Sequence, residues 1–212
     1  ADLLFAPTKT AVANLRAEGL PADRIELVGD VMYDVALYYN GLARRPDWFS
    51  ERGLSEGEFV LATVHRAENT DDPLRLAEIF AGLAQSEIPV VLPLHPRTRE
   101  RIEAAGVTPT PNTHVVPPVG YLEMVWLEGA CRVIASDSGG VQKEAYFHGR
   151  RCVILRDETE WVELVESGWN VVAGADATRI AAALSEPLPT VKTTQFYGAG
   201  DASKQVVTRL AG

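Results

Sequence analysis

The sequence predicts an α/β protein built on a doubly wound parallel sheet. Three observations carry that prediction. Short runs rich in Val, Ile and Leu recur along the chain, amphipathic stretches with recognisable ends separate them, and the turns that carry charge or paired glycines follow the runs. Nearly continuous apolar runs suit strands buried on both faces, and their alternation with helical patterns implies helices on both sides of a parallel sheet.

Taken in order, the runs fall at 3–6, 25–28, 59–64, 90–94, 113–116, 132–135, 152–155 and 170–173. After the first, Thr8 can cap a helix that Gly19 ends. The stretch 40–58, with Arg44-Arg45-Pro46, Gly53 and Gly57, reads as a soft connector between an opening βαβ piece and a main domain. Asp72-Pro73 opens a helix with proline at its first position, and Leu74, Ala77, Phe80, Ala81 and Ala84 form its expected apolar stripe. Helices are also expected over 96–105, stopped by Gly106, and over 121–128, stopped by Gly129. The last two are expected over 177–184 and 202–210.

The chain has 212 residues, enough for one domain with a real core, or one domain plus a piece of another. With 20 Lys and Arg against 29 Asp and Glu, its net charge is −9, which argues against non-specific nucleic-acid binding. No apolar run approaches the ~18–20 residues of a membrane helix, and the opening Ala1-Asp2-Leu3-Leu4 lacks the basic segment of a secretory leader. The chain starts almost inside a strand-like run without an initiating Met, and is read as part of something larger. Cys131 and Cys152 lack metal-ligand spacing and each heads an apolar run. Buried reduced thiols of a cytoplasmic protein are the expected reading, with a disulfide as the alternative.

In doubly wound sheets ligands bind at the carboxyl ends of the strands, so the turns there are informative. Thr63-Val64-His65-Arg66-Ala67-Glu68-Asn69 puts an imidazole and a guanidinium where both can donate to a phosphate; the alternative is a solvated loop with Asn69 as a helix cap. His95, between Pro93 and Pro96, either faces a ligand or is satisfied by backbone carbonyls, and Arg97, Arg99 and Arg101 read as solvated helix charges. In Ser136-Asp137-Ser138-Gly139-Gly140-Val141, Ser138, Gly139 and Gly140 would present unpaired N–H groups at a helix N-terminus, where a diphosphate can approach without meeting a Cβ; the alternative is a Ser/Gly turn before an ordinary helix. Glu144, one helical turn on, is placed to accept from a ribose diol. Asp-Ser-Gly-Gly also resembles the nucleophile turn of trypsin-like proteases, but those are all-β and this motif opens a helix within a βα alternation. Arg156 could meet a phosphate or brace Asp157, and Thr159 and Glu160 could meet sugar hydroxyls or cap a helix. The segment from Pro117 to Met124 could wall a base with Val119, Tyr121 and Met124, or pack as core.

In this combination and order, the chain resembles the C-terminal half of the non-hydrolysing UDP-N-acetylglucosamine 2-epimerases. The matching pieces are Phe5-Ala6-Pro7-Thr8, Val28-Gly29-Asp30, His65-Arg66-Ala67-Glu68-Asn69, His95-Pro96, Gly120-Tyr121-Leu122, the run from Asp137 to Glu144, Arg156-Asp157-Glu158-Thr159-Glu160, and Phe196-Tyr197-Gly198. The resemblance implies the C-terminal, Rossmann-like domain of a GT-B-like two-domain enzyme. It divides the chain into a remnant of the N-terminal domain and hinge (1–28), a UDP-binding domain (29–195) and a C-terminal helix returning to the first domain (196–212). It implies epimerisation at C2 with no cofactor and no metal: UDP is eliminated to a bound 2-acetamidoglucal and added back after the proton returns on the other face. Carried over, His65 is catalytic and assists the departing UDP. Arg66, Val119, Tyr121, Met124, Ser138, Gly139, Gly140 and Glu144 bind UDP. His95, Arg156, Thr159, Glu160 and Trp161 are possible substrate contacts. The implied partners are a UDP-sugar and a second copy of the full-length chain, with no nucleic acid and no membrane.

Two positions depart from the family pattern. Ala67 and Trp161 stand where common members carry arginine, and the Glu160-Trp161-Val162-Glu163 pattern is more similar to the branch acting on UDP-2,3-diacetamido-glucuronate. The resemblance also places the acidic residues for C2 proton transfer in the first domain, so this polypeptide alone is expected to bind UDP weakly and not to epimerise. The alternatives are a glycosyltransferase of the same architecture and a non-catalytic UDP-sugar binding module.

Overall fold

A computed structural model describes residues 1–189 and 195–211, apart from the side chain of Arg97. Stretch 190–194, inside the expected 29–195 domain, and the expected helix charge on Arg97 therefore lie outside the described residues. The chain forms two compact units, one of residues 1–42 with 191–212 and one of 43–190. The eight apolar runs all form strands.

In the first unit, β1 (Leu4–Ala6) pairs in parallel with β2 (Ile25–Leu27), Phe5 opposite Glu26. Between them runs α1 (Lys9–Ala17), capped as expected by Thr8, whose Oγ1 accepts from the Ala11 N–H at 3.1 Å. Asp30 caps α2 (Val31–Asn40) by accepting from the Met32 N–H at 2.8 Å.

The second unit opens with a short helix, α3 (Trp48–Glu51). The division between the two units falls within the expected 40–58 connector, after residue 42, but the rest of that stretch is packed and not soft. Phe49 is fully buried against Phe59 and Trp126, with ring centroids 5.2 and 4.9 Å away, and Leu54 is buried nearby. One aromatic anchor outweighed the Pro and Gly content of the stretch.

The sheet strands are β3 (Val60–Thr63), β4 (Val90–Pro93), β5 (Thr113–Val116), β6 (Val133–Ser136), β7 (Arg151–Ile154) and β8 (Asn170–Val172). All pair in parallel in the order β5-β4-β3-β6-β7-β8, the doubly wound arrangement. Alternate residues feed two cores. Val60, Ala62, Leu92, Ala135 and Val153 face one, and Leu61, Val91, Ile134 and Ile154 face the other.

Connecting helices cover both faces: α4 (Ala67–Thr70), α5 (Pro73–Leu83), α6 (Pro96–Ala104), α7 (Tyr121–Ala130), α8 (Gly139–Phe147), α9 (Val162–Glu166) and α10 (Ala177–Ser185). Asp72 caps α5 with Pro73 at its first position, as expected. The predicted stripe is corrected, however. Leu74 is 79% exposed, Ala77 and Ala81 are exposed, and the buried set is Leu76, Ile79, Phe80 and Leu83. That set keeps the same i, i+3, i+4, i+7 spacing with larger side chains. Gly106 ends α6, but Gly129 does not end α7; it lies within the last turn, where a Cβ would meet His148 Nδ1 at 3.6 Å.

The final helix, α11 (Ala202–Ala211), belongs to the first unit. Asp34 on α2 accepts from the Ala202 and Ser203 N–H groups at 3.1 and 2.7 Å, tying the start of α11 to α2. Both cysteines are free and buried. Among the described residues no helix is long and apolar enough to cross a membrane.

Candidate functional site

Strand order reverses between β3 and β6, and their carboxyl ends lie side by side with Thr63 opposite Ser136. The two hydroxyls are 2.7 Å apart. Beyond them a cavity of about 450 Å³ has His65 and His95 among its polar lining and Pro118, Val119, Met124 and Val141 among its apolar lining. Thus His65, His95, Val119 and Met124, singled out from three separate turns, meet around one space. Tyr121 is not among the lining residues and is 44% exposed.

Asp137, fully buried, organises the polar side of this mouth. Its carboxylate accepts from the His65 N–H at 3.0 Å, the Arg66 N–H at 2.9 Å and Asn69 Nδ2 at 3.1 Å. His65 Nδ1 lies 3.1 Å from Asp137 Oδ1. Asn69 is also fully buried and donates to the Leu155 carbonyl at 2.8 Å, so it ties three strand ends together and is not the helix cap of the alternative reading. Sequence reasoning missed both roles. Their partners lie 68 to 86 residues away, and the only available signal was a carboxylate and an amide immediately after buried strands.

Ser138 caps α8, its Oγ accepting from the Val141 N–H at 3.4 Å. The expectation of three unpaired N–H groups is corrected at one of them, because the Ser138 N–H donates to Ser136 Oγ at 3.0 Å. Gly139 and Gly140 occupy the first two helical positions, where an N–H has no acceptor within the helix. A Cβ at Gly139 would stand 3.8 Å from both Glu160 Oε2 and Trp161 Nε1. The Trp161 indole donates to the Gly139 carbonyl at 2.8 Å, and Lys143 Nζ sits 4.3 Å over its ring. The tryptophan that departs from the family pattern is therefore packed beside the first turn of α8.

Arg156 is buried and engages Glu160 through two parallel hydrogen bonds of 3.0 Å, with Glu68 3.5 Å from its Nε. The Glu160 contact holds the guanidinium above its ordinary pKa and the Glu160 carboxyl below its own. Arg156 therefore does not brace Asp157; Arg75 does, at 3.0 and 3.3 Å. Together with Glu68, Arg75, Asp157 and Glu158 it lines a second cleft of about 340 Å³. Thr159 donates to Gln142 Oε1 at 2.6 Å and accepts from the Trp161 N–H at 3.1 Å, which fastens this turn to α8.

Glu144 is half-buried on α8. Burial pushes its carboxyl above the ordinary range, against the pull of Lys143. Glu128 on α7 is pushed well up by burial and then by the Glu144 charge, and its Oε2 lies 3.7 Å from His148 Nε2. Burial, then Arg150, push the His148 imidazole down.

The fold and its mouth define a Rossmann-like domain with two imidazoles on one cavity and a glycine-led helix start at the switch point. A family model described as UDP-N-acetylglucosamine 2-epimerase matches residues 1–211, and the chain belongs to that family. It is 48% identical to the UDP-2,3-diacetamido-2,3-dideoxy-D-glucuronate 2-epimerase of Pseudomonas aeruginosa, over 99% of this chain and 60% of that one. It is 31% identical to the UDP-N-acetylglucosamine 2-epimerase of Methanococcus maripaludis, over 100% of this chain and 61% of that one. The crystal structure of the Methanocaldococcus jannaschii UDP-GlcNAc 2-epimerase in complex with UDP-GlcNAc and UDP superimposes with a TM-score of 0.86 at 31% identity, covering 100% of this chain and 61% of that one. The chain thus spans about 60% of the length of the curated relatives it matches.

Proposed function

We propose that the complete protein is a non-hydrolysing UDP-sugar 2-epimerase and that this chain supplies its UDP-binding half, the C-terminal domain of a GT-B-like pair. The observation that carries the reading is the meeting, at the β3–β6 switch point, of His65 with the Ser138-Gly139-Gly140 start of α8. In the elimination the C1–O bond breaks and its electron pair goes to the diphosphate oxygen, while the C2 proton passes to a base. The leaving diphosphate gains charge as it departs. The Gly139 and Gly140 N–H groups and Arg66 stabilise that charge as it develops, and His65, once protonated, donates to the departing oxygen. Val119 and Met124 flank the uracil, with Tyr121 outside the cavity lining, and Glu144 accepts from the ribose diol. His95, Arg156, Thr159, Glu160 and Trp161 surround the sugar.

The 48% identity to the diacetamido-glucuronate enzyme, together with Trp161 beside the first turn of α8, favours UDP-2,3-diacetamido-glucuronate over UDP-N-acetylglucosamine as substrate. The working protein is read as a cytoplasmic homodimer that uses no added cofactor.

Each UDP-sugar, incubated in D2O with the full-length enzyme, tests this by NMR. Deuterium should enter at C2, and faster with the uronate. A glycosyltransferase or a binding module would leave C2 undeuterated. The 212-residue chain should bind UDP in calorimetry without turnover; absence of binding removes the UDP-site assignment.

A further inference from the structure

We propose that Asp137 is a positioning residue that keeps the ring proton of His65 on Nδ1 and so presents an unprotonated Nε2 at the mouth of the cavity. The argument starts from what surrounds the carboxylate. Asp137 is fully buried. The groups bonded to it are the N–H of His65, at 3.2 Å from Oδ1 and 3.0 Å from Oδ2, the N–H of Arg66 at 2.9 Å and Asn69 Nδ2 at 3.1 Å. All are donors. None can take a proton from a carboxylic acid, so the group is an acceptor throughout, and the imidazole nitrogen 3.1 Å from Oδ1 must carry the hydrogen.

The orientation of Asn69 is fixed by its own partners. Its Nδ2 serves two acceptors, Asp137 Oδ2 and the Leu155 carbonyl, while its Oδ1 accepts from Arg75 Nε at 3.2 Å. Arg75 is held in turn by both oxygens of Asp157. A continuous hydrogen-bonded chain thus runs from Asp157 through Arg75 and Asn69 to Asp137 and His65. It immobilises the carboxylate, and the carboxylate selects the tautomer. Nε2 lies on the opposite edge of a side chain that is 51% exposed and lines the cavity. From there it takes up a proton from solvent before the bond breaks and donates that proton to the departing oxygen, with the fixed negative charge behind it stabilising the imidazolium. This consequence rests on the proposed departure of a diphosphate at the same mouth; the tautomer assignment does not.

The test is 15N NMR of the imidazoles, with the four histidines of the chain assigned by correlating each ring with its own backbone in the unmodified protein. With His65 neutral, its Nδ1 should show the shift of a protonated ring nitrogen and its Nε2 that of an unprotonated one. The reverse pattern in the unmodified chain overturns the proposal, and that spectrum decides even if no variant folds. In Asp137→Asn, whose amide can donate to the ring, the two signals should exchange character; a retained Nδ1 proton in a folded variant also overturns it. Titration with UDP separates the two claims. An Nδ1-protonated His65 whose signals ignore UDP supports the role of Asp137 and counts against the diphosphate reading of the site.

Discussion

Gly139→Ala is expected to weaken UDP binding without weakening the fold. The added methyl meets nothing closer than Glu160 Oε2 and Trp161 Nε1 at 3.8 Å, which is ordinary van der Waals contact. Gly139 has no positive φ, so alanine takes its backbone conformation without strain. Alanine is also the better helix former, by up to ~1 kcal/mol in a helix interior and less at the first position. Thermal unfolding should therefore occur at the same temperature or slightly higher. Binding should respond differently. A diphosphate lying against the first turn of α8 would be pushed off the Gly139 N–H by the new methyl. A hydrogen bond to a charged group contributes about 1.5–3 kcal/mol, so affinity should fall by about 10- to 150-fold. Calorimetry with UDP and a melting curve on the same sample give both numbers. An affinity within twofold of the original, in a variant that melts normally, would mean that the diphosphate does not rest on Gly139.

Glu144→Ala should cost about 1–3 kcal/mol of UDP binding if the carboxylate holds the ribose diol, and 2′,3′-dideoxy-UDP should bind both forms alike; calorimetry with the two nucleotides reads the difference. Glu128 has a folded-state pKa well above the ordinary 4.5, raised by burial and then by Glu144. Its stabilising effect is thus fully present below about 4.5 and lost as pH rises through the folded value. His148 has the opposite sign, because burial lowers its pKa from 6.5 and its contribution is lost as pH falls below that. Glu128→Gln should accordingly flatten the decline in urea-unfolding free energy on the alkaline side and leave the acidic decline in place. Phe49→Ala, which empties the centre of one core, should cost about 3–5 kcal/mol in the same urea titration.

Most of the fold was legible because its signals are local. Each strand was a run of apolar residues, and Thr8, Asp72 and Gly106 marked helix ends through chemistry confined to a few neighbours. What escaped depended on distant partners. Leu76 and Ile79 became the buried face of α5 because α10 and the sheet lie there, while Leu74 of equal hydropathy faces solvent. Gly129 has no positive φ and stays within the last turn of α7, beside His148 of a distant stretch of chain. The turns around the candidate site were legible for the same reason as the strands, since each lies directly after one. Which polar side chains face the cavity and which brace the loops was not legible. Asp137 and Asn69 resemble any polar residue in a turn until residues some seventy positions away are brought beside them.

The threefold attachment of Asn69 limits how the mouth can adapt. One amide links the loop after β3 to the ends of β6 and β7, by way of Asp137 and the Leu155 carbonyl. Those edges must shift in concert, so the opening has no independent jaw on its inner side. If the proposed function holds, differences in the sugar would then be met away from this anchored edge, at positions such as Trp161 beside the first turn of α8.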